Sequence, residues 1–458
     1  MNEEEKQQHS DPVLNRRGFL IQGGALLATL GLGGAVAYKL LNVDQLLDNA
    51  NFTGPVIHAA FGKTKITPEE SVPLAGYSTT DYIFDPPKKG SVLDDIYARI
   101  MVLRSNADTI VVVNMDCCLT MEDSKPSSSG KPAGTLPFGT TDAWAKAGGT
   151  TADHTHIFST HTHTAPLHFG EKYIIRIADE IRRVATRLTP VQVKLTKGEC
   201  SVSVNRRPKL SPNFKLPVDR RFDVISFEKA DGRLLGTIVN AAVHPTVVWN
   251  TPDRVSSDIV GLASQRLERH FGDGFVSLFT QGYSGDIGPL GGGLIGQLQG
   301  DSYPMCQTLG DIFFYNIIEA LEKTDAQIVN PLPLATRKET IEFPTKPRSD
   351  SNARNVTLSG IRLGELALFA TSLEVFNGYV AEINQLSPFK HTIMSGLTNG
   401  YSGYLPTKEA FHDQLGGYEM QTTPYDDRSV ALFKQFSREF LTQLYQQDDN
   451  KPGNPPQA

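Results

Sequence analysis

The sequence predicts an α/β (α+β) protein of mixed β-sheets with flanking helices. Three observations predict it. After residue 55, short β-branched runs alternate with segments whose apolar residues recur every three or four positions. The 458 residues are 39% hydrophobic and 21% charged, ordinary for a globular chain with a large core. No internal repeat points to a solenoid or propeller.

The ends of the chain read differently from its middle. Arg16 and Arg17 precede an uncharged run rich in Gly, Ala and Leu from Gly18 to Tyr38, and Ala35 and Ala37 form a small-x-small site. This layout resembles a bacterial twin-arginine signal, which places the working domain outside the cytoplasm, periplasmic or extracellular. Retained, a run of about twenty apolar residues is also long enough to anchor the chain in a membrane. The expected organisation is therefore a signal or anchor at 1–50, one domain at 51–446 and a disordered tail at 447–458. A net charge of −6 without a long basic block argues against nucleic acid as a partner. Cys117, Cys118, Cys200 and Cys306 lack C-x-x-C spacing, which argues against a structural zinc cluster; a Cys200–Cys306 bridge is compatible with export.

The elements follow in order. "IYARIMVL" and "TIVVVNMD" read as buried strands. Residues 117–153, rich in Ser, Gly and Pro, read as one long loop. "HIFST" is a short strand, followed by a helix carrying Ile174, Ile177, Ile181, Val184 and Leu188 on one face and ended by Pro190. "RRFDVISFE" and "LLGTIVNAAVHPT" form a strand pair around the turn "KADGR". "DIVGLASQRLERHFG" is a helix closed by Gly272, and "FVSLFTQG" is a strand entering a glycine-rich loop. A helix covers Gln307–Glu322. "NVTLSGIRLG" and "LALFATS" are strands, with a helix from about Glu374. "HTIMSGLTNGYSGYLP" is a strand and loop, and an amphipathic helix closes the domain. The glycines at 291–293 lack the Lys and Ser/Thr of a phosphate-binding loop and read as a turn.

Five of the eleven histidines fall between His154 and His168. His161 and His163 follow the strand "IFST", His244 follows "TIVNAAV", and Glu374 follows "LALFATSL". Each sits where a strand gives out, the usual place for site residues on a rigid sheet. In an extended chain residues i and i+2 point the same way, so His161 and His163 would face one cavity. A catalytic zinc site takes three His, Glu or Asp ligands and leaves one position open, and His161, His244 and Glu374 would supply such a set. On local sequence alone, surface or hydrogen-bonded core histidines remain the competing reading, and His154, His156 and His168 are left to it. Asp258 and Asp286 are candidates to orient the ligand imidazoles, against roles as a helix cap and a turn residue.

A set of motifs in fixed order adds to this. "FSTHTHTAP", "VNRR", "NAAVHPT", "VSSDIVGLAS", "QGYSGDIGP", "LEVFNGY" and "SGLTNGYSGYLPTKEAF" together resemble the catalytic domain of the neutral/alkaline non-lysosomal ceramidase family over roughly residues 56–420. The resemblance implies Zn2+ held by His161, His244, Glu374 and Tyr404, with His163 and Arg206 lining the site as catalytic residues. It implies a zinc-activated water that cleaves the amide of an N-acylated, lipid-like substrate, a small amphiphile. His163 would then serve as general base and Arg206 as oxyanion partner, against an ordinary surface salt bridge for Arg206, with Arg207 the competing match. Two departures stand out. The family's G-D-V-S-P loop, whose Ser is given a catalytic role, reads Gly285, Asp286, Ile287, Gly288, Pro289 here; Ser284 lies too early to replace it. No C-terminal immunoglobulin-like domain is expected within 458 residues. These departures keep two alternatives open: a zinc hydrolase of another amide or ester, and a non-catalytic ligand-binding relative.

Overall fold

The computed structural model describes residues 52–447 except 53–55, 77–82, 87, 106–107, 128–132, 207–218, 249–252, 273, 292–300, 324, 347–352 and 413–416. The signal or anchor expected at 1–50, the tail from 448, Arg207 and most of the 291–293 glycine run lie outside the described residues. No helix among the described residues is long and apolar enough to cross a membrane.

A large mixed sheet of nine strands dominates. Its order is Val276–Gln281, Leu234–Ala241, Arg221–Glu228, Thr189–Glu199, Ile57–Lys65, Tyr97–Arg104, Thr109–Met115 and Thr155–Ser159, with Gln327–Val329 also on Thr189–Glu199. Neighbours run antiparallel except at the two edges. There Leu234–Ala241 lies parallel to Val276–Gln281, and Thr109–Met115 parallel to Thr155–Ser159. The Asn114 side chain reaches from the second pair to the first, donating to the Phe279 carbonyl at 2.7 Å and accepting from its amide at 2.9 Å.

The unbroken apolar runs of the central strands have a simple cause: both faces of the sheet are covered. Along Tyr97–Arg104, Ala98, Ile100 and Val102 point to the helices Thr140–Gly148 and Glu171–Ala185. Met101 and Leu103 point the other way, to a second sheet of Leu334–Pro344, Ala353–Leu363, Leu366–Thr371 and His391–Ser395. The other half of the large sheet carries the helices Asp258–Phe271 and Tyr303–Glu322. The outer face of the second sheet carries Arg428–Tyr445 around Phe433, Phe440 and Leu441. The layers thus run helix, sheet, sheet, helix.

Four expectations are corrected. Residues 117–153 are not loop throughout: Thr140–Gly148 is a helix with Trp144 buried, and Glu122 accepts from the Gly139 and Thr141 amides at its start, a cap supplied from far along the chain. The helix after the histidines stops at Ala185, so Leu188 lies beyond it and Pro190 belongs to the next strand. Glu374 does not start a helix. Its amide donates to the Gly403 carbonyl, Glu374–Val375 pairs in parallel with Tyr404–Leu405, and the helix begins at Tyr379. All four cysteines are free and buried, so Cys200 and Cys306 are not bridged.

Candidate metal centre

The C-terminal ends of five strands, three from the large sheet and two from the second, converge on one buried spot. His161 is two residues past Thr155–Ser159, His244 three past Leu234–Ala241, and Glu374 three past Leu366–Thr371. The loop Ser395–Tyr404 crosses them: Gly396, Leu397 and Asn399 donate their amides to the carbonyls of Gln281, Leu373 and Ile157. Ligating atoms of His161, His244 and Glu374 all lie within 4.8 Å of one another, and all three residues are buried. His161 Nε2 is 3.3 Å from Glu374 Oε2.

His161 and His163 do face one another, with Nε2 atoms 3.3 Å apart. The reason is not the pleat of a strand. His161 has φ 68, a left-handed conformation that turns its ring inward, and its amide is held by the Cys117 carbonyl at 2.9 Å. Backbone carbonyls also orient the imidazoles. His161 Nδ1 donates to the Cys118 carbonyl at 2.8 Å and His244 Nδ1 to the Ser284 carbonyl at 3.3 Å. With Nδ1 directed at a carbonyl in both rings, Nε2 is the atom each ring turns inward, where a proton or a cation can sit.

The carboxylate of Asp258 faces the backbone, and that of Asp286 faces an asparagine side chain and a backbone amide. Asp258 accepts from the Val247, Val248 and Ile259 amides, and Asp286 from Asn205 Nδ2 and the Asn377 amide.

Electrostatics follow from this crowding. Burial works against charge on His161, but the Glu374 carboxylate and Cys118 outweigh it and raise its pKa well above the usual histidine range. Burial, then His161 and Arg206, hold His163 well below that range; His244 is lowered by the same causes and by His163. Glu374 Oε2 is buried with no hydrogen-bond partner. Such an atom is costly unless a cation or proton faces it, so the donor set fits a metal ion. A second grouping, Cys118, His161 and His163, overlaps the first through His161. It is the weaker candidate, because His161 Nδ1 is already bound to the Cys118 carbonyl and Cys118 Sγ is 3.8 Å away.

Tyr404 reaches the site through its pairing with Glu374. Burial, followed by the nearby Glu374 carboxylate, raises the pKa of its hydroxyl. Tyr401, the first tyrosine of the Y-x-x-Y motif, is shifted in the same way and was missed. Gly76, also missed, backs His163: it has φ +111, and a Cβ there would stand 2.4 Å from His163 Cβ. Arg206 follows the strand Ser203–Asn205. Its guanidinium pairs with buried Glu419 at 2.7 Å and donates to the Gly285 carbonyl at 3.3 Å, while Nε is buried without a partner. Gly288 makes room for it, since a Cβ at 288 would lie 3.0 Å from Arg206 Cδ. Ser284 Oγ accepts from the Gln281 side chain. The histidines set aside have structural partners: Asp108 for His154, Thr336 for His156 and the Gly134 carbonyl for His168.

Fold and site together define a two-sheet α/β protein with a buried His161, His244 and Glu374 group at its strand ends that could hold a metal ion. No family model matches the chain. Neutral ceramidase of Pseudomonas aeruginosa is 31% identical over 158 residues, a stretch covering 29% of this chain and 23% of that protein. The crystal structure of neutral ceramidase from Pseudomonas aeruginosa superposes with a TM-score of 0.67 at 20% identity, over 87% of this chain and 77% of that one. A ceramidase complexed with C2 gives 0.69 at 19% identity, over 88% and 77%. The chain thus shares the fold of these ceramidases over most of its length and matches one of them distantly in sequence over a short stretch.

Proposed function

We propose that this protein is a zinc-dependent amidohydrolase that cleaves a linear amide in an N-acylated, amphiphilic substrate. One observation carries the reading: two imidazoles with inward Nε2 atoms meet a buried carboxylate oxygen that has no hydrogen bond. A two-nitrogen, one-oxygen set suits zinc. When bound, the metal would supply Lewis acidity for a carbonyl and a more acidic water. His161, His244 and Glu374 would hold it, with Tyr404 beside Glu374 as the fourth ligand.

The remaining residues supply proton transfer and orientation. His163 is kept neutral at pH 7 by burial, His161 and Arg206, so its Nε2 can take a proton from an attacking water. Arg206 Nε, buried and unpaired, is a donor for developing negative charge on the carbonyl oxygen. Neither role needs a hydroxyl at Gly288. The amphiphilic substrate class is proposed from the ceramidases that the chain resembles. Gly288 favours one second reading, the same chemistry on a different amide or ester. We also propose that residues 1–50 direct export, with or without cleavage, and that 51–446 are the working domain.

The test is the metal content of the purified chain beside His244→Ala and His161→Ala, followed by an amide and ester panel. About one zinc per chain, lost with hydrolysis in both variants, is the expected result. Full activity in either variant, or ligand taken up and released unchanged by the zinc-bound wild type, refutes the hydrolase reading.

A further inference from the structure

His161 and His244 arrive from loops at different ends of the large sheet. His161 follows its last strand, Thr155–Ser159, and His244 follows Leu234–Ala241, second from the opposite edge. Sheet pairing alone does not tie one loop to the other. The tripeptide Ser256–Ser257–Asp258 touches both. The Ser256 carbonyl accepts from Thr162 Oγ1 at 2.8 Å and Thr164 Oγ1 at 3.2 Å, and its amide donates to the Thr164 carbonyl at 3.1 Å. Those threonines flank His163. Two residues on, Asp258 Oδ2 accepts the Val247 and Val248 amides at 3.1 and 3.0 Å, three and four positions past His244. Asp94 anchors the tripeptide from below, accepting from Ser256 Oγ at 2.6 Å and the Ser257 amide at 2.8 Å.

Asp258 is not placed as a helix cap would be. It is the first residue of Asp258–Phe271, one past the capping position, and its Oδ2 turns back toward the preceding loop. It also has φ 54, a left-handed backbone that a non-glycine residue keeps only where its surroundings hold it. The site and the geometry of its carboxylate give that strain a purpose.

We infer that Asp258 is a positioning residue of the metal centre: with Ser256 it clamps the His244 loop to the His161–His163 loop and so sets the spacing of the ligand imidazoles. The inference rests on the metal reading of His161, His244 and Glu374. It concerns how the ligands are held, and it assigns Asp258 no contact with the metal or substrate.

The experiment is chelator competition for zinc on the full chain, with cobalt(II) absorption as a probe of ligand geometry. Asp258→Gly removes the carboxylate while suiting the left-handed backbone; Asp258→Asn keeps an acceptor oxygen. The expected result is a loss of about 10- to 100-fold in zinc affinity for Asp258→Gly, with a changed cobalt spectrum. Asp258→Asn should recover most of both. Zinc affinity and cobalt spectrum unchanged in a folded Asp258→Gly overturn the inference. Should that variant fail to fold, Thr162→Val against Thr162→Ser decides from the other loop: weaker zinc binding in Val alone supports the clamp, and equal binding overturns it. A wild-type chain that binds no zinc overturns the metal reading itself, before any variant is compared.

Discussion

A histidine becomes a ligand or a core residue according to where its Nδ1 proton goes. In His161 and His244 that proton is given to a loop carbonyl, which turns Nε2 inward. His156 is the contrast. Its Nε2 meets Thr336 Oγ1 at 2.6 Å, and that hydroxyl already donates to the Gly360 carbonyl, so the ring must donate and has no lone pair to offer there. Small residues matter as much as titratable ones. Gly76 combines φ +111 with contact against His163. Gly76→Ala should cost about 1–3 kcal/mol from backbone strain, with further loss from the clash. It should lower hydrolysis more than zinc content, because it displaces His163 and leaves the ligand triad untouched. Thermal melts and metal analysis on the one preparation check this; unchanged turnover would mean that His163 can move without penalty.

At the scale of elements, the helix Asp258–Phe271 is fastened to the sheet by charge as well as by Ile259, Val260 and Leu267. Arg99, fully buried on Tyr97–Arg104, donates to Asp116 at 2.9 Å and Glu268 at 2.7 Å, and Lys63 joins Glu268 at 2.6 Å. Removing one member leaves buried carboxylates unpaired. Arg99→Met is therefore expected to destabilise by about 3–5 kcal/mol, read as a lower urea midpoint. Replacing Arg99, Asp116 and Glu268 together by apolar residues of similar volume should restore much of it. A single variant as stable as the wild type would show that the network contributes nothing net. Asp116 directly precedes Cys117 and Cys118, whose carbonyls hold His161, so the same network steadies the candidate metal centre.

At the scale of the whole molecule, two sheets must stay face to face for Glu374 to meet the histidines. His156 bonds across that interface. Burial first, then Lys338 and His154, hold its pKa well below the ordinary 6.5. A base with a depressed folded pKa contributes stability that is present above its unfolded pKa and lost as pH falls below it, because the unfolded chain takes up the proton first. Denaturant midpoints should therefore fall as pH drops from about 7 to about 5, and His156→Gln should show a shallower decline. An identical slope in the variant would remove His156 as a cause. Pro-, Gly- and Ser-rich composition hid the helix Thr140–Gly148, since its cap comes from Glu122, outside any local window. Pairing with Tyr404 likewise made Glu374 a strand residue despite its helix-like context.

By itself the sequence determined the alternation of strands and helices, the burial of the central strands and the strand-end placement of His161, His244 and Glu374. These are local: they depend on apolar spacing and on where each run stops. Only the tertiary structure decided that Glu374 of the second sheet would face two histidines of the first, that carbonyls of Cys118 and Ser284 would orient those rings, and that Asp258 would serve loop amides. Most of those contacts join residues far apart in the chain, and no spacing rule connects them. The left-handed turn at His161 belongs to the same group, because its strain is tolerated only once the neighbouring loops have packed around it.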